Sequence, residues 1–359
     1  MDFNLKKGRN GVMVSCEKWG MYEGKDIFLC TLENEKGMKV GLTNFGCAVT
    51  SILVKGIDVA LGFDHPDGYV NQNCYLGVTA GRCANRIKDG RFELNGAEYA
   101  VSRNLGNHHL HGGFKGFDKV LWDVDAVDQE NNAVRFSYLS KDGEEGYPGN
   151  LTVKVTYSLD EEGGLKIEFK AETDRPTLVN LANHTYFNLS GHDSGNIEDH
   201  WVKIHSDAFL EADPECVPTG MVLPVAGTPF EFREFHMIGE RIGTDDIQLK
   251  NGGGYDHNYI IDRKGDGGLV LAAEAASGKT GIQLQVFTTA PGIQFYSGNS
   301  LSEKNAGKDG AIYGWRCGFC LETQFYPDAI HHPEFPQPVL LPGQKYSHTA
   351  VYRFTEQSS

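Results

Sequence analysis

The fold assignment starts from TLVNLANHTYFNLS, residues 177–190. In a β-strand, successive side chains point to opposite faces. One face of this stretch would carry the apolar residues Val179, Leu181, Phe187 and Leu189. The other face would carry Asn180, Ala182, His184, Tyr186 and Asn188. The pattern predicts a strand with a core on one side and, on the other, a polar surface suited to a ligand rich in hydroxyl groups.

A second stretch, residues 315–325, alternates in the same way. Its apolar positions are Trp315, Cys317, Phe319, Leu321 and Phe325, and its other positions are Arg316, Gly318, Cys320, Glu322 and Gln324. His184 and Glu322 would thus lie on the polar faces of two distant strands, where they could form an acid/base pair. The pattern alone also fits a His and a Glu that are merely solvated or hydrogen-bonded.

Strand-like runs separated by turn signals continue along the chain. They are Val49–Val54, Ala133–Leu139, Leu151–Leu159, Leu165–Glu172, His200–Phe209, His257–Ile261, Ile282–Thr289 and His348–Phe354. Many of the 44 glycines cluster between such runs, as at 161–164 and 252–254, where tight reversals are expected. We predict an all-β, antiparallel protein. No internal repeat or linker is visible, so residues 1–359 are predicted to form a single domain.

Composition narrows the choice of partners and compartment. The chain has 33 Lys and Arg against 48 Asp and Glu, a net charge of −15, which disfavours nucleic acid and anionic membranes as partners. The eight cysteines are scattered, and we predict reduced thiols in a cytoplasmic protein. Residues 1–11 show no apolar export signal, and no run of 18 apolar residues suggests a membrane span.

Several short motifs offer ligand-binding side chains. Asn85 and Arg86 precede the turn at 88–90 and could bind hydroxyl or carbonyl oxygens, although a surface Arg beside a hairpin fits equally. His109 and His111 would share a face of a strand and suggest a metal. The Glu expected a few residues later in a metal-binding β-protein is absent, so we predict no metal and one His beside close-approach glycines that contacts a ligand.

Two further positions suit a sugar. Asp256 follows a glycine-rich loop, where it either faces a ligand or caps the turn. Gln294 lies beside aromatic residues, and amides and carboxylates next to aromatic rings suit sugars. Cys317 and Cys320 form a CxxC motif, but residues three apart on a strand point to opposite faces, so we do not predict a redox or zinc site there.

These motifs together resemble the aldose 1-epimerase (galactose mutarotase) family. The residues that carry the resemblance are GRCANRI at 81–87, LHGG at 110–113, GFDKVLW at 116–122, DGEEGYPG at 142–149, NHTYFNL at 183–189, YDHN at 255–258, GIQFYSGN at 292–299 and LETQ at 321–324. One such motif would be weak evidence. Eight in the family order, between residues 81 and 324, are strong evidence.

The resemblance implies the large antiparallel β-sandwich of the galactose mutarotase-like (supersandwich) type, with a sugar in an open cleft. It implies that Glu322 takes a proton from the C1 hydroxyl of the sugar and that His184 gives a proton to the ring oxygen. The implied sugar contacts are Asn85, Arg86, His111, Tyr186, Asp256 and Gln294. His108 and His109 precede the motif histidine, and position favours His111.

This chemistry needs one base and one acid, so we predict no cofactor. Glu of ordinary pKa, about 4.3, is ionised at neutral pH, whereas His near 6.5 is mostly neutral. We therefore expect Asp256 to help His184 hold its proton, and we expect a bell-shaped pH profile.

Three alternatives remain at this stage. A hexose-6-phosphate epimerase should show extra cations around the cleft, and the motifs supply few besides Arg86. A sugar-binding protein without activity would not need both Glu322 and His184. A glycosidase with Glu322 and Asp256 would release a second sugar from a disaccharide. The sequence leaves open which aldose is preferred and whether the protein is a monomer or a homodimer.

Overall fold

Antiparallel strands make up most of the regular secondary structure. The computed structural model describes residues 13–263, 268–302 and 306–356. Every pairing between its named strands is antiparallel, and its two α-helices have six residues each. The predicted all-β, antiparallel fold class is confirmed.

The first half of the chain forms the strands β1 (Met13–Tyr22), β2 (Lys25–Glu33), β3 (Lys39–Thr43), β4 (Ala48–Val54), β5 (Ile57–Asp58), β6 (Thr79–Ala80), β7 (Arg86–Ile87), β8 (Arg91–Leu94), β9 (Ala97–Ala100), β10 (His109–Leu110), β11 (Asp123–Asp128), β12 (Ala133–Ser140), β13 (Leu151–Leu159) and β14 (Gly164–Thr173). Helix α1 is Pro66–Asn71.

The second half forms β15 (Thr177–Leu178), β16 (Ala182–Asn183), β17 (Tyr186–Phe187), β18 (Trp201–Ile204), β19 (Ala208–Ala212), β20 (Pro218–Pro224), β21 (His236–Met237), β22 (Asp256–Ile260), β23 (Val270–Ala276), β24 (Ile282–Thr288), β25 (Gly292–Tyr296), β26 (Phe319–Gln324), β27 (Val339–Leu340) and β28 (Tyr346–Glu356). Helix α2 is Ile247–Gly252. Short 3-10 turns lie at Lys88–Gly90, Phe117–Lys119, Glu144–Gly146, Ile238–Glu240, Lys308–Gly310 and Ala329–His331.

Three large sheets build the sandwich. A nine-stranded sheet has the order β11-β12-β13-β14-β28-β24-β23-β18-β21, a six-stranded sheet has the order β17-β26-β25-β22-β19-β20, and β1 to β5 form a third. Phe169 of the nine-stranded sheet and Phe295 and Leu321 of the six-stranded sheet belong to one buried apolar cluster. The core therefore lies between the sheets, and it supports the strands that carry the candidate site.

Alternating side chains explain the regular part of this architecture. In β13, Leu151, Val153, Val155, Tyr157 and Leu159 are all buried, and the residues between them are partly or fully exposed. Such alternation is what a strand with one face on the core requires. Seven of the eight predicted strand runs coincide with observed strands to within two residues at either end.

The eighth run, residues 200–209, was wrongly predicted as one strand. Here β18 ends at Ile204 in the nine-stranded sheet, and β19 begins at Ala208 in the six-stranded sheet. Between them the Ser206 hydroxyl donates to the carbonyl of Ala208 at 2.7 Å. This side chain to backbone bond within the turn offers the chain an alternative to a ladder, so it changes sheets at this point.

Residues 177–190 form three two-residue strands rather than one long strand. The predicted division of faces holds on the apolar side, since Val179, Leu181, Phe187 and Leu189 are all in the core. The polar side is only partly a cavity wall. Asn180 Oδ1 accepts from the Phe325 backbone N–H at 2.9 Å, and Asn188 Nδ2 donates to the Gly195 carbonyl at 2.9 Å. These amides bond to the backbone of other segments, which is why the ladder is interrupted.

The second predicted strand, residues 315–325, is shorter than expected. Strand β26 begins at Phe319, and all six of its residues are buried. Trp315 was predicted to face the core, but its side chain is exposed and the Arg316 guanidinium lies 3.9 Å from its ring centre. A turn precedes the strand, so alternation does not extend back to this tryptophan.

The prediction that all cysteines are reduced thiols was wrong for two of them. Cys16 and Cys30 form a disulfide, with Cα atoms 4.0 Å apart. They are 14 residues apart in the chain, and the hairpin of β1 and β2 places them directly opposite one another. Register in the hairpin brings them together, and the sequence spacing gave no sign of it. Within the described residues, no helix is both long and apolar enough to cross a membrane.

Candidate active site

A cleft of about 670 Å³ opens beside the six-stranded sheet. Strands β26, β25 and β22 are neighbours there, and their register places Glu322 opposite Gln294 and Asp256 opposite Tyr296. The side chains that line the cleft include Tyr75, Asn85, Arg86, His111, Asp118, His184, Tyr186, Asp256, Tyr296 and Glu322. The volume lies within the range of about 300–1,000 Å³ that is typical of small-molecule sites.

His184 and Glu322 meet in this cleft. The distance from His184 Nε2 to Glu322 Oε1 is 3.6 Å, and both side chains are buried. On its other side, the His184 ring has Nδ1 3.6 Å from the Cys320 sulfur. The predicted acid/base pair is therefore brought together by two segments 138 residues apart, at a distance that lets both groups act on neighbouring atoms of one ligand.

Burial changes the protonation expected of this pair. It lowers the pKa of His184 to about 4. Burial, followed by the nearby charge of Asp256, raises the pKa of Glu322 well above its usual range, whereas Arg86 lowers it. The expectation that Glu322 titrates normally was wrong, because the carboxyl lies out of water. Before a ligand binds, both pKa shifts favour a neutral imidazole and a protonated carboxyl. The pair then shares one titratable proton, and this proton is on Glu322.

Asp256 does not assist His184 as the sequence suggested. Its Oδ1 accepts from Gln294 Nε2 at 2.7 Å, and its Oδ2 lies 3.6 Å from an Arg86 guanidinium nitrogen. Glu322 is the carboxyl group beside His184. Gln294 is not among the residues that line the cleft, and it contacts the cleft wall through Asp256. The ion pair and the amide hold the Asp256 carboxylate in one orientation.

Unsatisfied polar atoms gather around these groups. Arg86 Nε, Gln294 Oε1 and Glu322 Oε2 are buried and have no hydrogen-bond partner in the part of the chain that the structure describes. Buried polar atoms are otherwise paired in folded proteins. Arg86 and Glu322 line the cleft, so a ligand with several hydroxyl groups could supply partners for these two residues.

Asn85 and His111 support each other. The Asn85 backbone N–H donates to His111 Nδ1 at 3.2 Å, and the His111 backbone N–H donates to the Asn85 backbone carbonyl at 3.1 Å. The His111 ring lies 5.1 Å from that of His184. His108 Nδ1 instead accepts from Asp89, and His109 bonds to Tyr147. Of the three histidines, His111 is the one that lines the cleft, as position suggested.

Three side chains of the cleft are of types that bind metal ions. Among the described residues, His111, His184 and Glu322 bring one ligand atom each within 4.8 Å of one another. Because His111 Nδ1 accepts the Asn85 N–H, the proton of the neutral ring is on Nε2. That nitrogen is then a hydrogen-bond donor toward the cleft and has no lone pair for a metal. The donor set therefore fits a hydroxyl-rich ligand better than an ion.

The loop that carries His111 depends on a glycine and a carboxylate. Gly112 has φ +94°, and a Cβ there would lie 1.7 Å from the carbonyl oxygen of Gly81. Next to it, Glu145 accepts from the backbone N–H groups of Phe114 at 3.1 Å and Lys115 at 2.9 Å. Glu145 belongs to the motif at 142–149, so that motif acts here as a support of the cleft wall.

The buried Arg82 supports the neighbouring segment. Its guanidinium donates to the carbonyl oxygens of Ser140, Lys141 and Pro148 at 2.9–3.0 Å. It thereby ties the segment that carries Asn85 and Arg86 to the motif at 142–149. A planar donor group with five N–H bonds suits this use.

Sequence reasoning missed several residues that line the cleft, among them Tyr75, Asp118 and Tyr296. Tyr75 packs on His111 at 4.7 Å between ring centres, and Tyr296 lies 6.0 Å from Tyr186. Asp118 and Tyr296 stand inside motifs that carried the resemblance, which was the available signal. Tyr75 lies in an irregular segment with positive φ, and nothing in its sequence context indicates the site.

Comparisons with known proteins agree with this geometry. A family model described as aldose 1-epimerase matches residues 29–353. Galactose mutarotase of Rattus norvegicus is 43% identical over 324 residues, which cover 89% of this chain and 91% of the relative. Aldose 1-epimerase of Escherichia coli (strain K12) is 39% identical over 339 residues, covering 92% and 96%.

Solved structures give the same result. The crystal structure of galactose 1-epimerase from Lactobacillus acidophilus matches with a TM-score of 0.87 and 31% identity, covering 97% of this chain and all of that one. An aldose epimerase homologue from C. elegans matches with a TM-score of 0.83 and 29% identity, covering 92% and 99%. The resemblance seen in the motifs, and the supersandwich fold that it implies, are confirmed. The chain belongs to the aldose 1-epimerase family.

Proposed function

We propose that this protein is an aldose 1-epimerase that interconverts the α and β anomers of unphosphorylated aldohexoses such as D-galactose and D-glucose. The observation that carries the proposal is the buried pair of His184 and Glu322, 3.6 Å apart in the cleft. The names of the relatives, galactose mutarotase and aldose 1-epimerase, support the same isomerase reaction.

Ring opening needs one proton to leave O1 and one to reach O5. The Glu322 carboxylate takes the proton of the C1 hydroxyl, the O1–H electrons form the carbonyl, the C1–O5 bond breaks, and O5 receives the proton of His184. The aldehyde then rotates about C1–C2 and recloses from its other face with the two roles reversed. The single proton of the pair is returned at the end, so no cofactor is consumed.

The starting charge state depends on the neighbours of the pair. Burial favours the proton on Glu322, and Arg86 opposes this by lowering the pKa of that carboxyl. Hydrogen bonds from sugar hydroxyls to Glu322 would favour the carboxylate further. Transfer of the proton to His184, 3.6 Å away, then gives the base and the acid that ring opening requires.

The remaining predicted residues are proposed as sugar contacts. The Asp256 carboxylate and the Arg86 guanidinium can together bind adjacent hydroxyl groups, and Asn85 and His111 line the same cleft. Tyr186 contributes an aromatic wall next to His184, with ring centres 5.0 Å apart. Gln294 is proposed to act by orienting Asp256.

The structure gives little support to a phosphorylated substrate. Three cations line the cleft among the described residues, and each of them has a carboxylate or carbonyl acceptor beside it. Arg86 faces Asp256, Lys119 donates to the carbonyls of Val70 and Gln72, and Lys250 pairs with Asp245. A phosphate dianion would need at least one cation that could turn to it.

A cytoplasmic location and a monomeric or homodimeric state are part of the proposal. The net charge of −15 suits a soluble protein. The disulfide of Cys16 and Cys30 is the feature that argues for a less reducing compartment.

Polarimetry tests the activity directly. Freshly dissolved α-D-galactose is followed at neutral pH in buffer, with the protein, and with His184→Gln. We expect the wild type to speed the approach to the same final rotation, and we expect the variant to be slower by about 10²- to 10⁴-fold, the usual contribution of a proton-transfer group.

The control is Glu172→Gln, a surface change on β14 outside the cleft, which should leave the rate unchanged. A wild type no faster than buffer on galactose and glucose would contradict the proposal. Activity on galactose 6-phosphate alone would favour the phosphate-specific alternative, and release of a monosaccharide from a disaccharide would indicate a glycosidase.

A further inference from the structure

Three carboxyl groups line the cleft in the part of the chain that the structure describes: Glu322, Asp256 and Asp118. Glu322 belongs to the proton-transfer pair, and Asp256 is bound by Gln294 and faces Arg86. Asp118 has no role in that mechanism. It lines the cleft, as Tyr75 and His111 do, and it lies in the 3-10 turn Phe117–Lys119, outside the six-stranded sheet.

Asp118 is only 3% exposed, and its Oδ1 is buried without a hydrogen-bond partner among the described residues. An unpaired buried acceptor destabilises a folded protein unless something supplies a donor. Burial also raises the pKa of this carboxyl to about 7. A buried acid that lines a cleft and lacks a donor is a candidate ligand contact.

Within residues 13–263, 268–302 and 306–356, Lys119 is the ion-pair partner of Asp118, and it leaves this oxygen unsatisfied. Lys119 Nζ lies 4.0 Å from Asp118 Oδ2, the other oxygen of the carboxyl. The same Nζ donates to the backbone carbonyls of Val70 and Gln72. Lys119 is therefore directed toward residues 70–72, and Asp118 Oδ1 keeps its capacity to accept.

The backbone around Asp118 is held in place. Phe117 N–H donates to the Gly81 carbonyl, and Lys119 N–H donates to the Gly116 carbonyl, both at 3.0 Å. Gly46 packs so closely that a Cβ there would lie 2.6 Å from the Asp118 carbonyl oxygen. A fixed acceptor loses little conformational freedom when it binds a ligand, which is what a selective contact requires.

We propose that Asp118 is a further sugar-binding residue, whose carboxyl accepts a hydrogen bond from one hydroxyl of the aldose and so helps to determine which aldoses are used. This inference rests on the proposed function. Asp256 and Arg86, which face each other, bind one part of the sugar, and Asp118 binds a different hydroxyl. Asp118 has no part in proton transfer, so it acts on sugar affinity more than on kcat.

The test combines one substitution with a set of deoxy sugars. Rates for D-galactose and for 2-, 3-, 4- and 6-deoxygalactose are measured by polarimetry with the wild type and Asp118→Ala. We expect Asp118→Ala to lower kcat/KM on galactose about tenfold through KM, which corresponds to about 1.4 kcal/mol. One deoxygalactose should lose a similar factor with the wild type and lose nothing further with the variant.

Asp207→Ala, a surface carboxyl substitution, is the matched control and should leave all five rates unchanged. If thermal unfolding shows that Asp118→Ala does not fold, Asp118→Asn keeps the shape and should give the same pattern with a smaller loss. Equal losses on all five sugars, or no loss on any, would overturn the Asp118 proposal alone. A wild type inactive on galactose would remove the proposed function as well.

Discussion

The two walls of the cleft are built in different ways. The first, the strand wall, is formed by Asp256 on β22 and Glu322 on β26. Gln294 lies on β25 between these two strands, and the register of the strands determines where all three residues lie. The second, the loop wall, is formed by His111 and Asp118, which lie outside the long strands in segments held by hydrogen bonds from distant residues. Strand alternation predicts the first kind of wall from sequence, whereas the second kind depends on contacts that no local pattern records.

The two walls also differ in what they contribute to function. The strand wall carries the carboxyl group of the proton-transfer pair, on a strand buried on both faces. The loop wall carries a positive-φ histidine next to Gly112, with its neighbours bound by Glu145. We therefore expect substitutions on the strand wall to change the rate of the reaction. Substitutions on the loop wall should change affinity and stability.

The largest expected effect compares Glu322→Gln with His111→Gln. Glutamine cannot take the O1 proton, so kcat of the first variant should fall about 10²- to 10⁴-fold. His111→Gln replaces the ring N–H donor to the sugar by a more flexible amide donor, so its kcat/KM should fall about tenfold or less. Polarimetric kinetics on galactose give both values. A His111 variant as impaired in kcat as the Glu322 variant would break the distinction between the two walls.

A smaller effect is expected on the stability of the loop wall. It is tested by comparing Gly112→Ala with the control Gly96→Ala. Both glycines have positive φ, but a Cβ at Gly96 meets nothing within 4 Å, whereas at Gly112 it would meet the Gly81 carbonyl. Gly96→Ala should lower the free energy of unfolding by about 1–2 kcal/mol, the cost of that backbone conformation for an L-residue. Gly112→Ala should cost more, because the clash adds to the same cost.

Urea unfolding followed by fluorescence measures the two free energies. Gly112→Ala should also raise KM, because the shifted loop displaces His111. Equal losses of stability in the two variants would show that the close approach of residues 81 and 112 is relieved at no cost.

The smallest expected effect is a shift in the pH profile of Asp256→Asn. Asp256 raises the pKa of Glu322, so its neutralisation should lower that pKa. The alkaline limb of kcat/KM reports loss of the proton that the pair shares, and it should therefore move to lower pH. The measurement is kcat/KM on galactose across pH, with Asp207→Asn as the control. An unchanged limb, or one that moves to higher pH, would contradict the coupling of Asp256 to Glu322.

Sequence reasoning recovered the regular parts of the molecule well. It placed seven strand runs, separated the core side of residues 177–190, and put Glu322 on the same side as the cleft. These succeed because apolar and polar residues alternate with the period of a strand. The functional roles of the site residues, and the single domain, remain predictions.

It failed where a side chain bonds to the backbone and ends a strand, or where a residue reaches the cleft from outside the strands. Ser206 and Asn180 interrupt expected strands through such bonds, and Tyr75 and Asp118 reach the cleft from loops. The protonation of the pair also escaped it, because pKa depends on burial in three dimensions.

The sequence by itself determined the all-β class, the core-facing residues and, through its motifs, the family. Alternation and motif order are properties of the linear chain, so they can be recognised without knowledge of contacts. Only the tertiary structure decided that His184 has Glu322 as its partner 3.6 Å away, that Asp256 faces Arg86, and that Cys16 lies opposite Cys30. Those facts depend on register and on packing between segments far apart in the chain, which fix distances and exclude water from the pair.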